Sequence, residues 1–274
     1  MEKTRRMNVK RISNSLSEQV LDDVPAEEPL AIRVAHWFKD VRRAENLAVT
    51  MRTPGHDREL AAGLLFAEGI IRHAEDLLEL RMLGAAPSNE IFAELSKDVD
   101  FECWRVARNS LLNSSCGVCG KSSREAIVPV RPLAENDTLR ISASLIDSLP
   151  SLLGKHQSGF LATGGLHAAA LITAEGSVEA VFEDIGRHNA LDKLIGWALL
   201  SGRLPWQDRI VFLTSRGSFE LVQKAAAAGA HVLATVGGPS SLAIETARDC
   251  HMTLLGFVRD RRFNVYSGDW RINS

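Results

Sequence analysis

The sequence predicts an α/β protein (α+β over its whole length), with a smaller strand-rich N-terminal domain ahead of a larger domain of alternating strands and helices. Two observations carry this. From residue 210 to 258, apolar runs alternate with amphipathic ones: strand 210–214, helix 219–228, strand 231–236, helix 242–250 and strand 253–258. The first two strands are nearly all apolar and helices separate all three, the pattern of parallel strands covered on both faces. Before residue 107, the period is instead the two-residue alternation of strands, interrupted by one helix. A chain of 274 residues is long enough for two modest domains with a sizeable core.

Residues 1–26 are polar and charged without a periodic apolar face and are expected to form a flexible tail. The N-terminal domain then spans 27–135. Strands are expected at 29–38 and 44–51, the second ended by Thr53-Pro54-Gly55. A helix over 57–67 places Leu60, Ala61, Leu64 and Leu65 on one face, with Gly69 positioned to end it. Strand-like runs follow at 77–82, 90–95 and 99–106. A connector at 129–137 carries two prolines and leads into the second domain, 136–274.

In that domain, 142–153 reads as a helix with a possible break at Pro150. The runs 168–173 and 177–182 read as a hairpin around Glu175-Gly176. The helix over 186–200 is the best in the chain, with Leu191, Leu194, Ile195, Ala198 and Leu199 as its buried stripe. Asp184 reads as its N-cap, and Asp192 and Lys193 as a solvated face.

Composition excludes several classes. The net charge of −2 and the 6% aromatic content argue against a nucleic-acid surface. No apolar run reaches the roughly eighteen residues of a membrane helix, and the basic N-terminus has no apolar stretch behind it. A cytoplasmic protein with no membrane contact is expected, and a homodimer, since two-fold dimers are the commonest assemblies.

The chemistry concentrates in Asn113-Ser114-Ser115-Cys116-Gly117-Val118-Cys119-Gly120-Lys121-Ser122-Ser123, a flexible, solvent-reached loop. Lys121 and Arg124 leave it positive, which favours the reactive thiolate of Cys116 and Cys119. In a reducing compartment such a pair is catalytic, redox-active or metal-binding rather than a structural disulfide. Zinc needs three or four ligands and this pair supplies two, so no resident metal is expected. Cys103 and Cys250 lie in apolar runs and read as packing residues. Thioredoxin-type exchange is disfavoured because the pair does not open a helix directly after a strand.

Ligands of open parallel sheets bind beyond the carboxyl ends of the strands. Three such ends carry Ser215-Arg216-Gly217-Ser218, Gly237-Gly238-Pro239-Ser240-Ser241 and Arg259-Asp260-Arg261-Arg262-Phe263-Asn264. Glycines allow close approach, helix starts offer N–H groups and arginines pair with phosphate, so together they read as a site for an anionic, nucleotide-like ligand. His167 and His188 stand beside glycines at element boundaries. His188 falls in the first turn of its helix, where the dipole favours a neutral ring.

Four ordered motifs then carry a resemblance: Ser-Cys-Gly-Val-Cys-Gly at 115–120, Thr-Gly-Gly-Leu-His-Ala-Ala at 163–169, Glu-Asp-Ile-Gly-Arg-His-Asn-Ala-Leu-Asp-Lys at 183–193, and Gly-Phe-Val-Arg at 256–259. The chain resembles the FdhD/NarQ family of sulfur carriers required for active formate dehydrogenase. The resemblance implies a cytidine-deaminase-like fold for the C-terminal domain, although the His-x-Glu and Pro-Cys-x-x-Cys of the zinc deaminases are missing. It implies that a cysteine desulfurase passes sulfane sulfur to Cys116 as a persulfide, with Cys119 assisting or relaying. The sulfur would go to the molybdenum (or tungsten) of the bis-pterin guanine dinucleotide cofactor destined for formate dehydrogenase. It also implies that Phe257, Val258, Arg259, Asp260, Arg261 and Arg262 contact that cofactor; by the strand-end reading above, Ser215, Arg216, Gly237 and Gly238, with His167 and His188, are expected to complete its pocket. A chaperone that holds the cofactor without carrying sulfur is the competing expectation.

Overall fold

Residues 3–85, 88–101 and 138–273 are described by a computed structural model of the chain. The expected tail is instead a β hairpin: β1 (Thr4–Ser13) pairs antiparallel with β2 (Leu16–Pro25). Asn14 and Ser15 close it with φ of 48° and 66°, the left-handed pair that a two-residue hairpin turn requires. Arg6 lies directly across from Asp23, with its Nε 3.1 Å from the carboxylate. Charges interrupt both faces of this arm, so the sequence shows no clean alternation there.

The N-terminal sheet has the order β4-β3-β6-β5, from β3 (Glu28–Phe38), β4 (Val41–Arg52), β5 (Leu77–Met82) and β6 (Glu90–Leu95). These are the expected strands, with ends shifted by at most a few residues. The strand expected at 99–106 falls mostly outside the described residues. Helix α1 (Asp57–Ala67) lays Leu60, Ala61 and Leu65 on Leu30, Ile32, Ile91 and Ala93 of that sheet. Arg52, fully buried at the end of β4, grips the first turn of α1 through Asp57 at 2.8 and 3.2 Å.

After β7 (Ile141–Ser142) come α2 (Ala143–Gly154), which runs unbroken through Pro150, and the short α3 (Ser158–Thr163). The main sheet follows, with β8 (His167–Thr173), β9 (Val178–Asp184), β10 (Arg209–Leu213), β11 (Val232–Thr235), β12 (Thr253–Arg259) and β13 (Arg262–Ser267). Its order is β13-β12-β11-β10-β8-β9. The pairs β10–β11 and β11–β12 are parallel, as expected, and the rest are antiparallel. β14 (Ile272–Asn273) pairs with β7 and ties the chain's end beside the start of α2.

Side chains alternate across this sheet. Leu171, Val211, Leu213 and Leu233 pack under α4 (Arg187–Leu200), α5 (Phe219–Ala227) and α6 (Ser241–Asp249), whereas Ile172, Ile210, Phe212 and Val232 pack under α2. Both faces are covered, which is why the strands read as continuous apolar runs. Helix α1 also packs against α4, so the two expected domains share an extensive contact. Among the described residues, no helix is long and apolar enough to cross a membrane.

Candidate functional site

The cysteine loop at 113–123, with Cys116, Cys119 and Lys121, lies outside the described residues, as do Cys103 and Arg124. Cys250 is buried at the end of α6, as expected of a packing residue, and burial pushes its thiol up to about 11. Among the described residues, no group of three or more His, Cys, Asp and Glu is placed to hold a metal ion.

The strand-end loops do lie side by side. Gly237 N donates to Ser215 O at 3.0 Å, Ser240 N to Gly217 O at 3.0 Å, and Phe257 N to Gly237 O at 3.2 Å. The glycines make this stitching possible. A Cβ on Gly237 would stand 2.7 Å from Arg216 Cγ and 3.0 Å from its Cα, and one on Gly238 2.8 Å from Phe257 Cζ. Ser218 and Ser240 are the N-caps of α5 and α6, so both helices point their free N–H groups to this edge. Arg216 is exposed beside them, and Ser215 is buried, its Oγ donating to Arg216 O at 3.1 Å.

The third stretch differs from expectation. Beyond β12 the chain does not open into a loop but turns tightly into β13, a strand that sequence reading did not anticipate. Asp260 and Arg261 form the turn with φ of 54° and 56°. Arg259, Asp260, Arg261 and Arg262 are exposed at its tip. Phe257 sits in a break of the β12–β13 register with φ 56°, an uncommon conformation for an aromatic residue. This turns its ring onto Gly238, with the Arg259 guanidinium 5.9 Å from the ring centre. Val258 does not reach the edge: it is fully buried in the core under α2.

His167 opens β8 opposite Asp184. Thr214, which follows β10, accepts from Ala168 N at 2.9 Å and so sets His167 beside the Ser215 loop. Burial and the nearby Arg187 charge lower the pKa of His167. His188, in the first turn of α4, lies with Nε2 3.4 Å from Ser218 Oγ and 3.8 Å from Glu220. Burial, then Lys224 and Arg187, push it down to about 4. Its ring is neutral at pH 7, as expected, with burial the largest cause. The edge thus combines three helix starts, Arg187, Arg216 and two uncharged imidazoles.

Three residues of the 183–193 motif need correction. Asp184 is not the N-cap of α4, a place Gly186 holds. It is fully buried and accepts from Gly186 N at 2.8 Å, Asn189 Nδ2 at 3.1 Å and Thr53 N at 3.1 Å. Nor do Asp192 and Lys193 form a solvated face. Lys193 Nζ lies 2.7 Å from Asp184 and donates to Thr53 O at 2.9 Å, and Asp192 pairs with Lys224 at 2.5 Å. Helix α4 is buried nearly all round, so its polar residues are buried and paired. This cluster, with Thr53, was missed in the sequence; the available signal was charges set among the apolar positions of the best helix. The Thr-Gly-Gly motif is structural as well: Gly164 ends α3 with φ 68°, and a Cβ on Gly165 would stand 2.6 Å from Pro25 Cγ.

A model of the FdhD/NarQ family matches residues 25–273. Relatives named sulfur carrier protein FdhD align along almost the whole chain. One from Corynebacterium efficiens is 44% identical over 263 residues, covering 90% of each protein. One from Mycobacterium tuberculosis is 41% identical and covers 96% of this chain and 97% of its own. One from Sulfolobus acidocaldarius is 39% identical and covers 98% of both. A crystal structure from Desulfotalea psychrophila, of a protein described as a formate dehydrogenase accessory protein, is similar with a TM-score of 0.77 at 25% identity. That match covers 99% of this chain and all of the other.

Proposed function

The chain belongs to the FdhD/NarQ family, and from that premise we propose that it is a cytoplasmic sulfur carrier in the maturation of formate dehydrogenase. Cys116 takes sulfane sulfur from a cysteine desulfurase. Its thiolate attacks the outer sulfur of the donor's persulfide, forming a Cys116 persulfide and releasing the donor's cysteine thiolate. Delivery of that sulfur to the metal at the sulfide level needs two electrons. Cys119 supplies them by attacking Cys116 Sγ: the S–S bond breaks, a Cys116–Cys119 disulfide forms and hydrosulfide leaves for the metal. The acceptor is the molybdenum or tungsten of the bis-pterin guanine dinucleotide cofactor, a substrate here rather than a resident group.

The observation that carries the ligand half of this reading is the edge where the Ser215, Gly237 and Phe257 backbones are hydrogen-bonded in a row. Helix N-termini and Arg216 suit the phosphates of a guanine dinucleotide, and the Phe257 ring on Gly238 offers an apolar surface for a flat ring. Neutral His167 and His188 can exchange hydrogen bonds with the ligand without adding charge.

The test is mass spectrometry of the 113–123 peptide after incubation with a desulfurase and cysteine, in wild type, Cys116→Ala and Cys119→Ala. Sulfur added to wild type and Cys119→Ala, and absent from Cys116→Ala, is the expected result. A wild-type loop that never gains sulfur, in a protein that still binds guanine nucleotide, would leave only the cofactor-holding role.

A further inference from the structure

Helix α4 has two polar edges, and they face different parts of the chain. Asn189 and Lys193 stand four residues apart and share one side of the helix; His188 and Asp192 share the side next to it. The first pair faces the end of β4. Asn189 Nδ2 donates to Met51 O at 2.7 Å, and its Oδ1 accepts from Thr50 Oγ1 at 3.3 Å. Lys193 Nζ donates to Thr53 O at 2.9 Å. The second pair faces α5, with His188 beside Ser218 and Glu220 and Asp192 paired with Lys224. Ser218 and Glu220 belong to a helix start on the ligand edge.

Thr53 is the centre of the first contact. It is buried, and its backbone N–H, hydroxyl oxygen and carbonyl are all engaged by residues 184–193. Its N–H donates to Asp184 at 3.1 Å, its Oγ1 accepts from Ile185 N at 3.1 Å, and its carbonyl accepts from Lys193. Ile185 and Asn189 are thus both held from the N-terminal half. Only Gly186, Arg187 and His188 lie between them. The N-cap of α4 is Gly186, which brings no capping side chain, so its first turn is set by its neighbours. Apolar surface alone tolerates small offsets between packed helices, whereas buried directional hydrogen bonds select one arrangement.

We propose that Thr53 is a positioning residue of the ligand edge. From the N-terminal half it fixes the first turn of α4, and with it Arg187 and His188, against the start of α5. Thr53 itself stands apart from the edge and acts through the 185–189 turn. The proposal rests on the reading of that edge as a nucleotide site.

The experiment uses the full-length chain. Thr53→Val keeps the size of the side chain but takes the acceptor from Ile185 N, and Thr53→Ser keeps the acceptor. Thr50→Val is a milder second variant that removes only the bond to Asn189 Oδ1. Ile146→Val lowers stability in the core under α2, on the opposite face of the main sheet from α4, and serves as control. Urea unfolding reports stability, NMR at pH 7 the ring signals of His188, and calorimetric titration the affinity for guanosine diphosphate. Thr53→Val is expected to move the His188 signals and to weaken nucleotide binding about tenfold, the scale of one lost buried hydrogen bond. Thr50→Val moves both in the same direction by less, and remains informative should Thr53→Val fail to fold. Thr53→Ser and Ile146→Val leave both in place. Unchanged His188 signals or unchanged affinity in folded Thr53→Val would overturn the proposal. So would a Thr53→Ser that behaves like Thr53→Val, or an Ile146→Val that moves the same signals as far. A wild type that binds no guanosine diphosphate would sink the nucleotide reading alone, and the ring signals would then decide the role of Thr53.

Discussion

Gly63 and Gly196 meet where helix α1 crosses helix α4. A Cβ on Gly63 would lie 1.8 Å from the carbonyl oxygen of Asp192, and one on Gly196 1.8 Å from that of Glu59. The helices touch backbone to backbone, and neither carbonyl can move without its helix. This contact docks the N-terminal half against the helix whose first turn carries His188. Gly63→Ala or Gly196→Ala is expected to cost roughly 2–3 kcal/mol by overpacking. Urea unfolding of each variant measures it; a loss below about 0.5 kcal/mol, the ordinary scatter of surface substitutions, would mean the helices slide apart easily.

Lys193→Met removes the cation from a carboxylate that is fully buried. The expected loss is about 3–5 kcal/mol, typical of breaking one side of a buried pair. Lys193→Met combined with Asp184→Asn removes the stranded charge and should recover part of it. If the double variant is no more stable than the single one, the uncompensated charge is not the source of the loss.

His188 makes the fold acid-sensitive. Its pKa falls from an ordinary 6.5 to about 4 in the folded chain. As pH drops below 6.5 the unfolded state takes up a proton that the folded state refuses until about 4, so stability falls across that window. The full effect is on the order of 3 kcal/mol. His188→Gln should flatten the dependence of unfolding free energy on pH between 4 and 6.5. An NMR titration of the wild-type ring with a midpoint near 6.5 would remove the basis for this expectation.

Arg216 is exposed, so Arg216→Ala should change thermal stability little. If the edge holds guanine nucleotide, the same substitution should weaken binding of guanosine diphosphate about tenfold or more, the scale of a charge-assisted hydrogen bond. Gly237→Ala should weaken it too, by forcing the loops apart at Arg216. Calorimetric titration with that nucleotide reads both; unchanged affinity in both variants would place the nucleotide elsewhere.

Cys119→Ala should keep the persulfide on Cys116 but stall its release, since the two electrons for hydrosulfide then have no source within the loop. Added dithiothreitol should restore sulfide release, measured colorimetrically. Release at the wild-type rate without added thiol would dismiss the proposed role of Cys119.

Much of the architecture was legible. Helix α1 and strands β5 and β6 were read with their observed bounds, because Leu60, Ala61 and Leu65, or the alternation of Ile91 and Ala93, report one buried face. The parallel order of β10, β11 and β12 followed from apolar runs separated by helices. The hairpin at 4–25 and strand β13 were not read, since their side chains lie largely in solvent and leave no periodic trace.

The sequence by itself singled out candidates for chemistry, through the types and spacing of Cys116, Cys119, the histidines and the glycine-rich strand ends. Those are properties of side chains and local backbone. Only the tertiary structure decided which of them share a place. Asp184, Lys193 and Thr53 are brought together across more than a hundred residues, and each exchanges water for the others as it is buried. Val258 and Phe257 are neighbours in sequence, yet the pleat and a break in register send one into the core and the other onto Gly238. Burial and long-range pairing are set by the whole packed chain, so a local reading cannot contain them.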